Sequence, residues 1–534
     1  MMEPAYVWIT MLGWTVLSSV IALVARKGLG IGSAEYFIGG RRLRGFVSGM
    51  TYAATTYSAF MLVGLVGLTY RSGVGALGFE MTYLVFTVLF LMVFGPRFWL
   101  VGNRYEHITP PELIANRFKN KGVAVTSASI SFVMLIPYAA VQLIGAGLLV
   151  EGLTGGRIPF YAGVLVMAAL SGFGAFWAGM RSVAWTDAFQ GVTMIITSLI
   201  ALVFVIFDFF EGPAGFVQTI EANHPELLEF SWSPNLFIGL TLPWAFFALT
   251  NPQVAQRMYI PDKARSLKRM ILFFAIFGFL YTLISTVFGF QAAAIMPGLE
   301  NPDNAMPSLL GRLPTVLGLI IFVGIFSAAT STLGSIILTL SSLFTRDIAK
   351  VAKPTLTQKS ETWLGRVAVI VILVACIVFA FFRPGLITVI SSMASGGLLV
   401  MAPTIIATFF WKRATAAGAL SSMIAGAVVV AVITIGGPAL RLFGWWPAVW
   451  GLIVTTAVFV IVSLATKPPA GAGAFIDQVE TDLSAKGFRL VGRAAGRSRS
   501  SATGGAAAAK ATGSPLAGAP PSGRAPGADT KGQE

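Results

Sequence analysis

Residues Phe326–Ser335, FSAATSTLGS, sit inside an apolar run from about Thr315 to Phe344, and the architecture of the chain follows from what that run is for. On a helix, residues three and four apart are neighbours. Gly324, Ser327, Ala328, Ser331, Thr332 and Ser335 therefore share one face, small and rich in hydroxyl oxygen. Small residues let membrane helices approach closely, and Ser or Thr hydroxyls can bond back to the preceding turn, so a plain packing face is one possibility. The other is half of a sodium site, in which two hydroxyls and a carbonyl of this helix meet carbonyls freed by a broken helix elsewhere. Such a site needs a partner stretch.

Phe46–Tyr70, FVSGMTYAATTYSAFMLVGLVGLTY, is that partner. Thr55, Thr56, Tyr57 and Ser58 interrupt its apolar run, with Gly49, Gly64 and Gly67 around them. These are poor helix formers, and unwinding here would free the carbonyls near Ala54 and Tyr57 as ligands. Irregular backbone at membrane depth is tolerated where it lines a cavity. An ordinary Gly/Thr-rich packing helix is the competing possibility at this stage.

The surrounding chain sets the medium. Of 534 residues, 56% are hydrophobic and 11% charged, with a mean hydropathy of +0.79, which is the composition of an all-α polytopic membrane protein. The net charge of +15 comes from basic residues in short loops and in the tail. That is a topological pattern rather than a nucleic-acid-binding surface, so no nucleic acid partner is expected. Cys376 is the single cysteine, leaving no disulfide framework or thiol metal site, and His107 and His224 are isolated loop residues. Met1 to Pro4 lacks the basic start of a cleavable signal peptide, and Tyr6 to Ala25 is long enough to span.

Apolar runs near 6–25, 46–70, 77–96, 124–150, 160–179, 187–209, 235–253, 271–295, 315–343, 366–382, 387–411, 416–436 and 446–465 predict about thirteen spans. The basic clusters follow odd-numbered spans: Arg26, Lys27, Arg41, Arg42 and Arg44; Arg97, Arg104, Arg117, Lys119 and Lys121; Arg257, Lys263, Arg265, Lys268 and Arg269; Arg346, Lys350, Lys353 and Lys359; Lys412 and Arg413. Loop 210–234, with Glu221, Glu226 and Glu229, is basic-poor. The positive-inside rule then predicts an N-terminus outside and a C-terminus in the cytoplasm of a cell whose plasma (inner) membrane holds the protein. From about Lys467 the composition shifts to Gly, Ala, Ser and Pro. Residues 467–534 are expected to be a mostly disordered cytoplasmic tail, with Phe475–Val491 able to form a surface helix.

Four segments, YFIGGRRLRGFVSGMTYAATTYSAFMLVGLVG (Tyr36–Gly67), GMRSVAWTDAFQG (Gly179–Gly191), SAATSTLGS (Ser327–Ser335) and FWKRATAAGA (Phe410–Ala419), resemble the sodium:solute symporter family in content and order. The resemblance implies a LeuT-like fold with an inverted five-helix repeat: 1–45 as a first transmembrane helix and cytoplasmic loop, 46–210 and 211–414 as the two repeats, 415–466 as two accessory helices. It also implies a sodium site made of the carbonyls of Ala54, Tyr57 and Ala328 and the hydroxyls of Ser331 and Thr332, the face identified at the outset. Sodium, a hard cation, suits oxygen ligands, whereas a proton would need a titratable carrier, and that face has none.

Asp187, with Gln190 three residues on, has the pattern of a helix N-cap and capping box, while the resemblance implies a role at the sodium exit or a second sodium site. In family members with two sodium ions, hydroxyls one turn beyond the conserved pair assist. Here those positions are Gly334 and Ser335, so one ligand is missing and one sodium per substrate is expected.

Substrate candidates follow from location: Tyr57, Phe60, Met61, Glu80, Trp244, Asn251, Gln253 and Ser392, with Ser391 and Ser395 beside the last. Apolar walls with a few convergent polar groups make a pocket. Glu80 stands out because a carboxylate inside a span is costly unless paired, functional or wet at a span end. The second span is similar to that of pantothenate and monocarboxylate permeases, which implies a small organic anion. A channel would need a repeated filter, and an enzyme would need an acid/base or metal cluster that the chain does not offer. A membrane sensor or solute-gated protein on a transporter fold is the alternative to a symporter that couples sodium entry to uptake of a small solute.

Overall fold

The structure, a computed structural model, describes residues 2–26, 32–382 and 385–488. Lys27, the expected disorder from Arg497 onward and the last residues of the expected tail helix lie outside the described residues.

Apolar composition over long runs gives helices, and among the described residues eleven of them are long and apolar enough to cross a membrane. In chain order the main elements are α1 (Pro4–Arg26), the bent pair α2 (Gly45–Thr56) and α3 (Phe60–Ser72), α4 (Val74–Tyr105), α5 (Lys121–Thr154), α6 (Phe160–Trp177) and α7 (Gly179–Phe210). There follow α8 (Pro234–Ala245), α9 (Ala264–Ile295), α10 (Thr315–Leu343), α11 (Gln358–Phe381), α12 (Ile387–Phe410), α13 (Ala416–Gly436), α14 (Pro447–Ala465) and α15 (Ala472–Ala485).

About thirteen spans were expected, the second of them broken, and among the described residues the count is eleven, or twelve with the bent pair. The difference lies in residues 235–253. Only the twelve residues of α8 are regular there, and about 18 Å of helix falls short of a ~30 Å hydrocarbon core. The chain leaves the helix at Phe246, makes one turn to Thr250, breaks again at Asn251 and restarts at Pro252. Proline at the first turn of a helix is pre-set for restarting one, while its ring disfavours helical backbone in the residue before it, which is the physical cause of the second break.

The second expected span does unwind. Its two halves are bent by 52°, with Tyr57 extended at φ −97°, ψ 106°, followed by a π-helical turn at Phe60–Leu65. Asn251, at the second break, has φ −91° and ψ 106°. Two breaks of the same backbone shape in the two halves are what an inverted repeat requires.

Helix α10 is the central strut, with most of its residues buried. It approaches α7 so closely that a Cβ on Gly324 would lie 2.1 Å from Thr197 Oγ1. Helices α6 and α7 are separated at Gly179 (φ 61°, ψ −156°), where a Cβ would stand 2.3 Å from the Tyr36 carbonyl. Only glycine accepts both that conformation and that approach. Because α7 begins at this break, Asp187 lies two turns inside the helix, and the N-cap assignment is corrected: its carboxylate does not close a helix end.

The basic ends of several helices meet at one end of the bundle. Arg41 donates to the carbonyls of Gly102 (3.0 Å) and His107 (2.7 Å), and Arg346 bridges Glu112 (2.6 Å) and Glu361 (3.1 Å). His107, expected as an ordinary loop residue, is enclosed there, and burial holds its imidazole down at about 4. The surface helix of the tail is present as α15, earlier than the expected 475–491. It ends where Gly487 turns at φ 76°.

Candidate functional site

The break after Thr56 ends the helix at Tyr57, and α10 supplies the donors that meet the carbonyls exposed there. Ser331 Oγ donates to the Ala54 carbonyl at 2.8 Å and to the Ala328 carbonyl at 3.0 Å. Thr332 Oγ1 donates to the same Ala54 carbonyl at 3.0 Å and lies 3.4 Å from that of Thr55. Ser331, Thr332, Ala54 and Ala328 are all buried. Tyr57 stands at the break, its N–H bonded to the Ala53 carbonyl at 2.8 Å and its ring stacked on Phe274 and Phe277. The donor set is all oxygen, with no nitrogen or sulfur, which is the chemistry a hard monovalent cation asks of its ligands. To hold an ion, the two hydroxyls turn their protons away and offer lone pairs beside the Ala54 carbonyl.

Asp187 lies in an adjoining network rather than in this cage. Its Oδ2 accepts from Thr51 Oγ1 at 2.6 Å and from Ser335 Oγ at 3.3 Å, and it pairs with Arg257 Nη2 at 3.6 Å. Arg257 Nη2 also donates to Ser335 Oγ, and Nη1 to the Gln253 carbonyl at 3.0 Å. Thr55 joins the two networks, with its hydroxyl 3.0 Å from Ser335 Oγ and its carbonyl facing Thr332. Arg257 is fully buried, although it was expected as one of the loop cations. After Pro252 the chain continues as two short buried helical segments, Pro252–Ala255 and Gln256–Tyr259, which carry Arg257 with them.

The substrate candidates divide into two groups. Phe60 stacks on Trp244 at 4.7 Å, and Trp244 Nε1 donates to Ser392 Oγ at 3.0 Å. Around them stand Phe79, Tyr83, Tyr138 and Phe247, none of which was singled out from the sequence. Tyr83 also meets the Tyr57 ring at 6.2 Å, which ties this aromatic wall to the first break. Glu80 is fully buried, which removes the alternative of a wet residue at a span end. Neither of its carboxylate oxygens has a hydrogen-bond partner among the described residues. The hydroxyls of Ser391 and Ser395 are likewise buried and unpartnered. Asn251 and Gln253 form the second group at the other break, 3.5 Å apart. Met61 is buried in the π-helical turn after Phe60.

Two broken helices that face hydroxyl-bearing helices across a membrane bundle define a secondary transporter, since irregular backbone at that depth serves ion and solute binding. The profile of the sodium:solute symporter family matches residues 36–426. The chain belongs to that family. It is 28% identical over 457 residues to a sodium/pantothenate symporter of Haemophilus influenzae, covering 84% of this chain and 93% of that one. It is 27% identical over 484 residues to a sodium/proline symporter of Staphylococcus aureus, covering 84% and 90%. In fold it is similar to a Na+-coupled sialic acid symporter in its substrate-bound outward-open state, with a TM-score of 0.72 at 19% identity over 87% of this chain and 98% of that one.

Proposed function

We propose that the protein takes up a small organic solute by alternating access, driven by sodium entering at the cage of Ala54, Tyr57, Ala328, Ser331 and Thr332. The observation that carries this is the double engagement of the Ala54 carbonyl, at the break of one helix, by the hydroxyls of Ser331 and Thr332 from another. Sodium there would bridge the two elements whose relative motion opens and closes the path. The solute would lie between the breaks, against Phe60, Trp244 and Ser392, with Tyr57, Met61, Glu80, Asn251 and Gln253 around it.

The pantothenate relatives support a small organic anion, such as pantothenate or another carboxylate, as the first class to test. The proline relatives extend the test to zwitterions. Repeats at 46–210 and 211–414, accessory helices at 415–466 and a cytoplasmic C-terminus belong to the same proposal. The positions of Arg41, Arg104 and Lys412 at or near helix ends support the orientation. The test is a panel of labelled solutes, pantothenate, lactate and proline among them, offered to vesicles bearing an inward sodium gradient. Saturable, sodium-stimulated uptake of at least one is expected. A protein that binds sodium and solutes but moves none would favour the sensor alternative.

A further inference from the structure

Glu80 is 0% exposed on α4, and both of its carboxylate oxygens lack a hydrogen-bond partner among the described residues. A buried carboxyl left unpaired is costly in either form, since a protonated one would leave its O–H and carbonyl unsatisfied too. Two buried guanidiniums are engaged elsewhere, Arg257 with Asp187 and Arg97 with Glu480. On the buried face of α4, Glu80 lies between Phe79 and Tyr83, and residues three apart on a helix are neighbours. The rings of Phe79 and Tyr83 stand 6.0 and 5.3 Å from that of Trp244, which Phe60 stacks at 4.7 Å and Tyr138 meets at 6.3 Å. The hydroxyls of Tyr83 and Tyr138 are buried and unpartnered as well.

We infer that the transported solute carries a positively charged nitrogen, and that Glu80 is the residue that selects it. This rests on the solute site proposed above and, of the classes raised there, favours zwitterions, or cations, over plain anions. An ammonium group supplies what the carboxylate lacks, a counter-charge together with hydrogen-bond donors, and such charge-assisted bonds are strong in a site of low dielectric. Aromatic rings accept a cation on their faces, so the wall of Phe60, Phe79, Tyr83, Tyr138 and Trp244 suits both the apolar and the charged parts of one molecule. A solute whose only charge is a carboxylate meets the opposite. Beside Glu80 it adds a like charge away from water, and none of those five side chains is a cation that would offset it.

The test is calorimetric affinity of the purified full-length protein for matched pairs that differ in the charged nitrogen, in sodium chloride and in potassium chloride. The pairs are proline and cyclopentanecarboxylate, glycine betaine and tert-butylacetic acid, and choline and neohexyl alcohol, with pantothenate and lactate beside them. The nitrogen compound of at least one pair is expected to bind, and its carbon analogue at least about tenfold more weakly, the worth of a hydrogen bond to a charged group. Glu80→Gln is expected to abolish that difference, and Glu80→Asp, which keeps the charge, to preserve it. Stabilisation by sodium reports that each variant is folded, because Glu80 is not part of the sodium cage. A carbon analogue bound as tightly as its nitrogen partner, or a folded Glu80→Gln that keeps the preference, would overturn the inference. So would failure of every nitrogen compound to bind, whether or not pantothenate or lactate does. Should the variants fail to fold, the comparison within pairs on the wild type decides. Binding no tighter in sodium than in potassium would instead overturn the sodium-coupled reading, and the same pairs would still decide the role of the nitrogen.

Discussion

At the residue scale, the proposed sodium site concentrates on a few oxygens whose spacing is visible in the chain. Ser331 and Thr332 were legible because helical periodicity alone puts them on one face with Ala328, and the run Thr55–Ser58 announces the break that exposes Ala54. Arg257 was not legible. A cation a few residues beyond an apolar run has the pattern of a loop residue, and nothing in the sequence shows that the chain stays buried after Pro252. Asp187 was misplaced for a related reason, because the helix boundary is the conformation of Gly179 rather than the capping pattern beside Asp187. Ser331→Ala and Thr332→Ala each delete an oxygen that contacts the Ala54 carbonyl. Losing one hydrogen-bond-grade contact to a charge is worth about 1.5–3 kcal/mol, so the sodium concentration for half-maximal uptake should rise about tenfold or more. Membrane insertion should be normal, since small-residue packing persists. Sodium activation curves of the two variants check this, and parent-like curves in both would place the site elsewhere.

At the element scale, the proposed function rests on the broken segments, and the unbroken helices hold them. Sequence periodicity found nearly every long helix, because about twenty apolar residues have few other fates in a bilayer. The run at 235–253 is interrupted: apolar content is high there, but α8 stops after twelve residues. Helix α15 shows a different limit. It docks on other elements through Arg97–Glu480 (2.5 Å), Arg104–Asp482 and Lys412–Asp477 (2.7 Å), and Lys268 lies over the Phe488 ring. Low complexity further along the tail hid this helix's charge complementarity. Arg97 is 2% exposed and its partner Glu480 36%, so removing α15 leaves a buried guanidinium without its carboxylate, a costly change. Deleting Arg497 to Glu534 is therefore expected to leave uptake unchanged, whereas truncation before Ala472 should lower the melting temperature in detergent and reduce uptake. Expression-normalised uptake and thermal unfolding of the two truncations check both halves. Equal behaviour would mean that α15 does not brace the bundle.

At the scale of the whole molecule, the proposed function would have the two breaks couple one ion to one solute across a bilayer. A sodium ion entering at 100 mV releases about 2.3 kcal/mol, and each tenfold concentration gradient adds about 1.4. One ion therefore supports accumulation of a neutral solute by a few hundred-fold. For a monovalent anion, one-to-one coupling is electroneutral and only the concentration term remains. The most direct measurement of the central claim is uptake of pantothenate, proline and the rest of the solute panel into vesicles under an imposed sodium gradient, set against a proton gradient alone. The cage offers oxygens but no titratable group, so accumulation is expected with sodium and absent with protons. Equal accumulation in acidic, sodium-free medium would contradict it.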